Sequence, residues 1–315
     1  MLAVVLGVGG TIGFFFGAHA VVMQLPRVWQ ERCLPWVYVS PAIALLAAYL
    51  VLPTLNTIYL SFLDRRSDAF VGWANYGFVL TDKTMGIAIR NNVLWLVLVT
   101  GFSVSLGLLL AVLADRVRYE AIAKSAIFLP MAISFVGAST IWKFVYAYRP
   151  AGREQIGLLN AIATGLGGEP VGWLVERPLN TLALIAIMIW LQTGFCMVLL
   201  SAAIKAIPAD ILEAARIDGA NEWQIFMRIA LPTIRPTIAV VATTVIILVL
   251  KVFDIVYVTT AGNQGTEVLA SRMIKEMFNF GNFGRGSAIA VVLMVAIVPV
   301  VIGNIRRVRQ QEIES

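Results

Sequence analysis

The feature that most constrains this chain is a series of long apolar stretches separated by polar segments. Each has about the 20 residues that an α-helix needs to cross about 30 Å of hydrocarbon. None shows the period-2 alternation of a membrane β-barrel. The stretches run from Leu2 to Met23, Tyr38 to Phe62, Asn92 to Ala114, Ser125 to Tyr146, Leu179 to Ile204, Thr237 to Thr260 and Ser287 to Ile305. We therefore predict an all-α, polytopic membrane protein with about seven transmembrane helices.

The composition also favours a membrane protein, because 59% of the residues are hydrophobic and only 13% are charged. A soluble domain usually carries about twice that charged fraction. The net charge of +6 does not indicate nucleic-acid binding, since the basic residues are spread through short loops beside the apolar stretches. Cys33, Cys196 and the single histidine, His19, lack metal-like spacing, so we predict no disulfide framework and no metal site.

The first apolar stretch has two interpretations. The Ala-His-Ala sequence at residues 18–20 resembles a signal-peptidase site, which would make the stretch a cleaved signal. However, no Lys or Arg precedes the apolar residues, as a signal peptide normally requires, and Arg27 and Arg32 follow them. We therefore expect a retained transmembrane helix with its N-terminus outside, and we treat residues 1–37 as this helix and its cytoplasmic connection.

Basic residues near the helix ends predict the orientation. One set lies in shorter loops and close to the predicted helices, where the positive-inside rule applies. This set, predicted to be cytoplasmic, comprises Arg27, Arg32, Arg116, Arg118, Lys124, Lys205, Arg216, Arg228, Arg235, Arg306, Arg307 and Arg309. The C-terminus is then cytoplasmic, and residues 63–91, 149–178 and 261–286 are outside.

The segment from residue 205 to residue 236 is the longest predicted cytoplasmic loop and the least like a lipid-facing sequence. Its residues predict two short helices joined by a turn. Pro208 suits the first turn of the first helix, and Gly219 suits its end. Asn221 is a good cap for the second helix, and Gln224 three residues later completes a capping box.

Two prolines, Pro232 and Pro236, are expected to end the second helix before the next span. Taken from periodicity alone, an amphipathic hairpin of this kind suits the lipid headgroups and a protein partner about equally. The choice between them depends on a longer pattern in the same segment.

That pattern comprises Glu213-Ala214-Ala215, Gly219, Ile229 and Leu231-Pro232, which read as E-A-A, three residues, G, nine residues, I, any residue, L-P. It resembles the signature loop of permease subunits of binding-protein-dependent ABC importers. Resemblance to the carbohydrate-transporting branch is carried by Asp218-Gly219-Ala220, Trp223, Gly157-Leu158-Leu159-Asn160, Phe253-Asp254-Ile255 and Thr259-Thr260-Ala261-Gly262. The resemblance implies a type I importer fold with a six-helix core, and we treat residues 38–315 as the permease domain containing the coupling loop 205–236.

In that family the loop is a coupling helix that docks on a cytoplasmic ATPase subunit. The residues expected to do so here are Glu213, Ala214, Ala215, Asp218, Gly219, Leu231 and Pro232. Glu213 would form a charge-assisted bond to a basic residue of the ATPase. The two alanines would allow close backbone approach, and Asp218 would either contact the ATPase or cap the second helix.

The resemblance also implies the partners: a homologous second permease subunit, two cytoplasmic ATP-binding subunits, an extracytoplasmic sugar-binding protein, a sugar substrate and membrane lipid, with no nucleic acid. The chain has no G-x-x-x-x-G-K-[ST] phosphate loop. We therefore expect no catalysis and no bound cofactor on this chain, with ATP and Mg held by the partner ATPase subunits. The expected location is a bacterial or archaeal cytoplasmic (inner) membrane.

Polar and aromatic residues inside the predicted spans are candidates for the substrate pathway, because polar groups are costly in lipid. The candidates are Gln192, Phe195, Thr244, Lys251 and Asp254. Lys251 and Asp254 lie three residues apart on one predicted helix, so we expect them to share a face. There they would either face the substrate or neutralise each other.

One departure from the family concerns the span after the coupling loop. Positions that contact sugar in related permeases appear here as Val245, Leu248, Val249 and Val252, which are apolar. Either a second permease then holds more polar contacts, or the preceding span matters more. Among sugars we expect a small oligosaccharide or α-glucoside. The alternatives are an ABC permease for a non-sugar solute and an ion-coupled secondary carrier, which would need ion ligands at the midplane.

Overall fold

The computed structural model describes residues 2–115 and 117–314. The regular elements in this part of the chain are helices, and the only extended pairing there is one isolated bridge between Leu63 and Phe70. The predicted all-α fold class is confirmed. The helices are α1 (Leu2–Val22), α2 (Arg27–Leu60), α3 (Ala74–Thr81), α4 (Lys83–Ala114), α5 (Glu120–Ala132), α6 (Phe135–Val145), α7 (Leu158–Gly165), α8 (Leu179–Lys205), α9 (Ala209–Ile217), α10 (Glu222–Leu250), α11 (Asp254–Thr259), α12 (Leu269–Ile274, continued by a π turn at Lys275–Asn279) and α13 (Phe283–Glu314).

The helices fall into two compact units. The first contains α1 and α2, and the second contains the described chain from Ser61 onward. The boundary predicted between residues 37 and 38 falls inside α2. The division into an N-terminal helix and a permease domain therefore stays a prediction, as does the retention of α1.

Five described helices are long and apolar enough to cross a membrane: α2, α4, α8, α10 and the first 24 residues of α13, Phe283–Arg306. The pair α5 and α6 makes a sixth span if it is counted as one. Of the basic residues behind the predicted orientation, Arg116 and the side chains of Arg307 and Arg309 lie outside the described part of the chain. The orientation stays a prediction.

The third span is longer than the sequence indicated. We expected it to begin near Asn92, but α4 begins at Lys83. Asp82 caps it, because the Oδ1 atom accepts hydrogen bonds from the backbone nitrogens of Thr84 (2.8 Å) and Met85 (3.2 Å). Residues 83–91, which the sequence assigns to an outer loop, are therefore helical.

The fourth span is not one helix. The chain bends by 100° between α5 and α6. Pro130 lies in a 3₁₀ turn, Leu129–Ala132, that ends α5, and Ser134 restarts the helix by accepting a hydrogen bond at Oγ from the backbone nitrogen of Gly137 (3.1 Å). The span predicted from Ser125 to Tyr146 is therefore built from two helices that meet at a sharp bend.

The sixth predicted span also differs from the structure at both of its ends. Pro232 and Pro236 do not end a helix, since α10 runs without interruption from Glu222 to Leu250. A π turn at Phe226–Ala230 precedes Pro232, and Leu231 donates its backbone N–H to the carbonyl of Phe226, five residues earlier. This register shift accommodates a proline, which has no N–H of its own to donate.

At its other end α10 stops at Leu250, and the chain turns before α11 starts at Asp254. Lys251 therefore follows one helix and Asp254 begins the next, and no ion pair within 4 Å joins these two described residues. The prediction that they pair on one helix face is wrong. An acidic residue is favourable where Asp254 lies, in the first turn of a helix.

The core of the second unit lies between α4 and α8. They approach closely at Gly107, where a Cβ would lie 2.5 Å from Cβ of Cys196 and 2.9 Å from the backbone nitrogen of Met197. Gly194 of α8 lies equally close to α5, because a Cβ there would be 2.5 Å from the carbonyl oxygen of Ile127. Small residues at such contacts let helix backbones approach closely in a membrane.

Gly107→Val is expected to destabilise this core. The added side chain meets helix backbone, which cannot move aside as a flexible side chain would, and overpacking of this kind costs about 1–3 kcal/mol or more. The matched control is Gly101→Val on the same helix, where a Cβ meets nothing within 4 Å. Thermal unfolding in detergent should show a lower midpoint for Gly107→Val alone; equal midpoints would contradict the close packing.

Candidate functional site

The predicted hairpin is present, and its turn has the geometry of a helix C-cap. Pro208 precedes α9 with φ −55° and ψ 131°, and Gly219 follows α9 with φ +84°. The backbone nitrogens of Gly219 and Ala220 donate to the carbonyls of Arg216 (3.1 Å) and Ala215 (3.0 Å). This is a Schellman motif, in which a glycine takes the left-handed position at little cost.

The predicted capping box is confirmed. Gln224 donates its backbone N–H to Oδ1 of Asn221 (2.8 Å), and the backbone nitrogen of Asn221 donates to Oε1 of Gln224 (2.9 Å). Asn221 is thus the cap of α10. Asp218 lies at the other side of the turn, at the C-terminal end of α9, with an exposed side chain. The alternative in which Asp218 caps the second helix is wrong.

The turn is also closed by an ion pair. Nε of Arg216 donates to Oε1 of Glu222 at 2.9 Å, and this hydrogen bond raises the pKa of the Arg216 guanidinium. Both side chains are about half exposed, so the pair contributes little to stability. It joins the end of α9 to the start of α10 and limits how far they can separate.

One side of the hairpin is buried against the helices that lead into it. Ile207, Ala230 and Ile234 form a small buried cluster, against which Leu212 and Phe226 also pack. This cluster holds the hairpin to its own domain. Because the apolar side is already occupied in this way, the opposite side is free to meet a partner.

Most residues of the E-A-A pattern are exposed. Glu213, Ala214, Asp218, Gly219 and Pro232 are exposed, whereas Ala215 and Leu231 are half-buried. Two large apolar side chains of α9 are also exposed, Ile211 at 49% and Ile217 at 86%, whereas Trp223 borders a groove with Leu108 and Leu109 of α4. A surface that combines a carboxylate, small residues and exposed apolar side chains on a fixed frame is typical of a protein-binding site.

A polar network that the sequence did not predict lies at the base of the hairpin. Lys124 of α5 contacts Oδ1 of Asp115, Oε1 of Glu120 (2.6 Å) and Oγ of Ser201 on α8. Lys205, the last residue of α8, contacts Glu120 as well. From the sequence the two lysines are predicted only as positive charges that flank the spans. Their pairing ties the entrance of the hairpin to α5 and to the end of α4.

A cavity of about 440 Å³ lies at the bend between α5 and α6. Its walls are the bend itself, with Ser134 and Phe135, together with Gln192 of α8, Leu248 of α10 and Asp254 of α11. The bend and the break after α10 thus both open onto one space. The structure brings together two of the predicted pathway residues, Gln192 and Asp254.

Gln192 is the most informative residue of this cavity. It is the middle residue of α8, counted from Leu179 to Lys205, and its side chain is only 3% exposed. Its Oε1 atom is buried without a hydrogen-bond partner. An unpaired buried carbonyl costs about 1–3 kcal/mol, so such a group indicates a position that a ligand's hydroxyl would satisfy.

The other pathway candidates lie elsewhere. Thr244 donates its hydroxyl to the carbonyl of Val240 (3.0 Å), and Phe195 packs against the core cluster of α4 and α8. Lys251 borders an apolar groove beside α13 and does not line the cavity that contains Asp254. Their role in the substrate pathway stays a prediction.

The apolar positions on α10 and in the turn that follows it divide into two groups. Val245, Val249 and Val252 belong to the buried core, whereas Leu248 lines the cavity. Leu248 therefore supplies an apolar wall, and the polar groups come from Ser134 at the bend, from α8 and from α11. The wall residues of the bend were missed, although Pro130 and the helix-capping Ser134 are local signals that could have indicated it.

At the far end of the domain, defined here as the end at Lys83 of α4 and Leu179 of α8, the loop at residues 260–268 is fixed by side chains. Asn91 donates Nδ2 to the carbonyls of Gly265 (2.7 Å) and Glu267 (2.8 Å). Asn180 donates to the carbonyl of Gln264 (2.9 Å). The loop is thereby a rigid surface.

The Gly157–Asn160 motif also has a structural role at this end. A Cβ at Gly157 would collide with the backbone of Ala147. Asn160 is fully buried, donates to the carbonyls of Ala147 and Val171 (both 3.0 Å), and accepts from the backbone nitrogen of Val171 (2.8 Å). These bonds hold Ala147 and Val171, on either side of α7 in the sequence, against that helix.

Residues 103–313 match the family model described as "Binding-protein-dependent transport system inner membrane component". The chain belongs to this family. The matched segment contains the hairpin and the cavity, so both features lie in the part of this binding-protein-dependent permease that defines its family.

Two curated relatives cover most of this binding-protein-dependent permease. It is 74% identical over 275 residues (87% of this chain and 99% of the relative) to the osmoprotective compounds uptake permease protein GgtC of Synechocystis sp.. It is 52% identical over 278 residues (88% and 83%) to the alpha-glucoside transport system permease protein AglF of Rhizobium meliloti.

The fold is shared with a solved structure, that of a bacterial ABC transporter involved in the import of the acidic polysaccharide alginate. The TM-score is 0.78 at 23% identity, with 90% of this chain and 99% of that chain covered. The predicted importer permease fold is confirmed.

Proposed function

We propose that this chain is the transmembrane permease subunit of an ATP-driven importer and translocates a sugar by alternating access. The observation that carries the proposal is the hairpin from Lys205 to Pro236. Its inner side is buried in its own domain and its outer side presents Glu213 and Ala214 on a frame fixed by a Schellman motif and a capping box. Such a rigid projection would transmit movement from a docked motor to the membrane helices.

The partners follow from this role. Two cytoplasmic subunits would bind ATP and Mg and supply hydrolysis, and a homologous permease would complete the pathway. An extracytoplasmic protein would deliver the sugar. The family description names a binding protein, and the solved alginate transporter was determined with an alginate pentasaccharide-bound periplasmic protein. This chain would itself bind no cofactor and catalyse no reaction.

An α-glucoside or another small oligosaccharide is the substrate that we propose. The names of the two relatives refer to alpha-glucosides and to osmoprotective compounds. The cavity at the bend suits a neutral polyhydroxylated molecule, because Gln192 and Asp254 offer hydrogen-bond acceptors while Phe135 and Leu248 offer apolar walls. Gln192 is also at the middle of its helix, the depth at which transport sites are usually found.

The proposed location is the bacterial or archaeal cytoplasmic membrane, with the hairpin and the C-terminus in the cytoplasm. The ends of α4 and α8 next to the hairpin then face the cytoplasm, and the far end faces outward. This arrangement places the hairpin beside cytoplasmic ATPases, and it places the rigid loop 260–268 where the binding protein arrives.

Native mass spectrometry of the gently extracted complex, followed by uptake in proteoliposomes, tests the proposal. We expect one copy of this chain with one related permease and two ATPase subunits. Uptake of a labelled α-glucoside should require both internal ATP and the binding protein. A chain that is extracted without ATPase subunits, or uptake driven by an ion gradient alone, would instead support a secondary carrier.

A further inference from the structure

A second concave site lies at the far end, away from the hairpin. It is a pocket of about 520 Å³ between the first turns of α4 and the start of α8. Arg90 and Arg177 are on its walls, beside Asn180 and Gly265, and Ile87, Leu94 and Leu182 make the rest of the wall largely apolar. Both arginines precede the apolar parts of their helices, so the pocket lies at the water side of the membrane rather than in the hydrocarbon.

The two guanidinium groups are not neutralised. Neither has a carboxylate within 4 Å among the residues that the structure describes. This distinguishes them from two neighbouring basic residues, since Arg272 pairs with Glu276 and Lys275 pairs with Glu267, each at 2.5 Å. An uncompensated pair of positive charges in a concave site favours an anionic ligand.

Most donors of both groups also remain available. Arg90 donates Nη2 to Oδ1 of Asn91 at 3.3 Å, and Arg177 donates Nε to the carbonyl of Gln264 at 2.5 Å. A guanidinium has five N–H donors, and the structure records a bond for one on each side chain. The remaining donors suit the two oxygens of a carboxylate, which arginine binds in a fork-like geometry.

The frame around the pair is preformed. Gly265 has φ +77°, and a Cβ there would lie 2.9 Å from Nε of Arg177, so glycine is needed for the guanidinium to lie on the loop. Asn91 and Asn180 also fix this loop, because their side-chain amides donate hydrogen bonds to its backbone carbonyls. Arg177 is therefore positioned before any ligand arrives, which lowers the entropic cost of binding.

We propose that this Arg90–Arg177 pocket is the docking site for an acidic side chain of the extracytoplasmic binding protein. The inference rests on the proposed function, because it needs a delivery protein on the outer side. The charge of the pocket, its exposure to water and its rigid loop all suit a protein carboxylate that must bind and leave in every transport cycle. An exposed charge contact of this kind mainly controls recognition and the association rate.

The test uses the assembled transporter in proteoliposomes and measures ATPase activity against the concentration of its binding protein. Arg90→Glu combined with Arg177→Glu is expected to raise the half-saturating concentration about 10- to 100-fold, since removing both partners of a docked carboxylate and reversing their charge opposes association. The maximal rate at saturation should be unchanged. Arg153→Glu is the matched control, an exposed arginine of the same predicted outer side, and should shift the concentration little.

The outcomes separate the possibilities. An unchanged half-saturating concentration in the double variant would overturn the docking site. So would a shift that follows the anionic-lipid content of the vesicles instead of the binding protein, because the pocket would then bind lipid headgroups. Arg90→Lys combined with Arg177→Lys keeps both positive charges and is the control for misfolding. It should raise the half-saturating concentration of binding protein less than the double Glu variant does. A wild-type complex that the binding protein does not stimulate would contradict the proposed function itself.

Discussion

Glu213→Lys and Gly219→Val are each expected to reduce ATP-dependent uptake about a hundredfold or more while leaving the chain inserted in the membrane. Reversing a charge that pairs across a protein interface costs several kcal/mol of binding. Valine at Gly219 must adopt φ +84°, which β-branched residues avoid, although nothing lies within 4 Å of its Cβ. The second variant therefore changes the shape of the hairpin without a clash.

The matched control for the charge change is Asp210→Lys. Asp210 is also an exposed acidic residue of α9, but it lies outside the E-A-A pattern. It should retain most of the uptake. Uptake is measured in proteoliposomes with internal ATP, and the amount of inserted protein is measured alongside it. Wild-type uptake in both Glu213→Lys and Gly219→Val would show that the hairpin does not couple ATP hydrolysis to transport.

The second large effect is expected at the cavity. Gln192→Leu keeps the size of the side chain but removes the buried amide, and we expect the maximal uptake rate to fall about 10- to 100-fold. A hydrogen bond to a buried group that lacks another partner is worth about 1–3 kcal/mol, and every 1.4 kcal/mol is tenfold. Uptake is measured at saturating binding protein, so that only the membrane steps are compared.

Thr244→Val is the control for this experiment. Thr244 lies on the neighbouring α10, and its hydroxyl already bonds to the carbonyl of Val240. We expect a change of less than about threefold, because the hydroxyl is satisfied within its own helix. If both residues contact one sugar, the double variant Gln192→Leu with Asp254→Asn should lose less transition free energy of uptake than the two single variants lose in sum. Unchanged uptake in Gln192→Leu would exclude the cavity from the pathway.

The hairpin was predictable because its signals are local. Pro208, Gly219 and the Asn221–Gln224 pair each act on backbone groups within a few residues, so their meaning does not depend on the rest of the fold. The prediction for Pro232 was wrong because a π turn, which has no clear sequence signal, shifts the hydrogen bonds before it. In a chain with many membrane prolines, a proline alone does not mark the end of a helix.

The cavity was only partly predictable. The polarity of Gln192 within an apolar span identified it as a candidate, and the structure places it on the cavity wall. Its neighbours there come from a bend and a break that depend on how α5, α6 and α11 pack, which periodicity does not report. For the same reason Lys251 and Asp254, three residues apart, were expected to meet but lie on different cavities.

The contacts at the far end could not be predicted from the sequence, because the residues that form them are far apart along the chain. Asn91 and Gln264 are separated by more than half of the chain, yet Asn91 and Asn180 hold the loop that carries Gln264. Asparagine in a polar segment is usually interpreted as a turn former. Its use here as a donor to the carbonyls of a remote loop becomes visible only when the helices are in place.

The most direct test of the central claim is a photocrosslink from the exposed face of the hairpin. Ala214 is replaced by a photoreactive amino acid in the assembled transporter, and the adducts formed on illumination are identified by mass spectrometry. The account predicts a crosslink to an ATP-binding subunit. Adducts with lipid alone would contradict it, because the hairpin would then rest on the membrane surface and would not contact a motor protein.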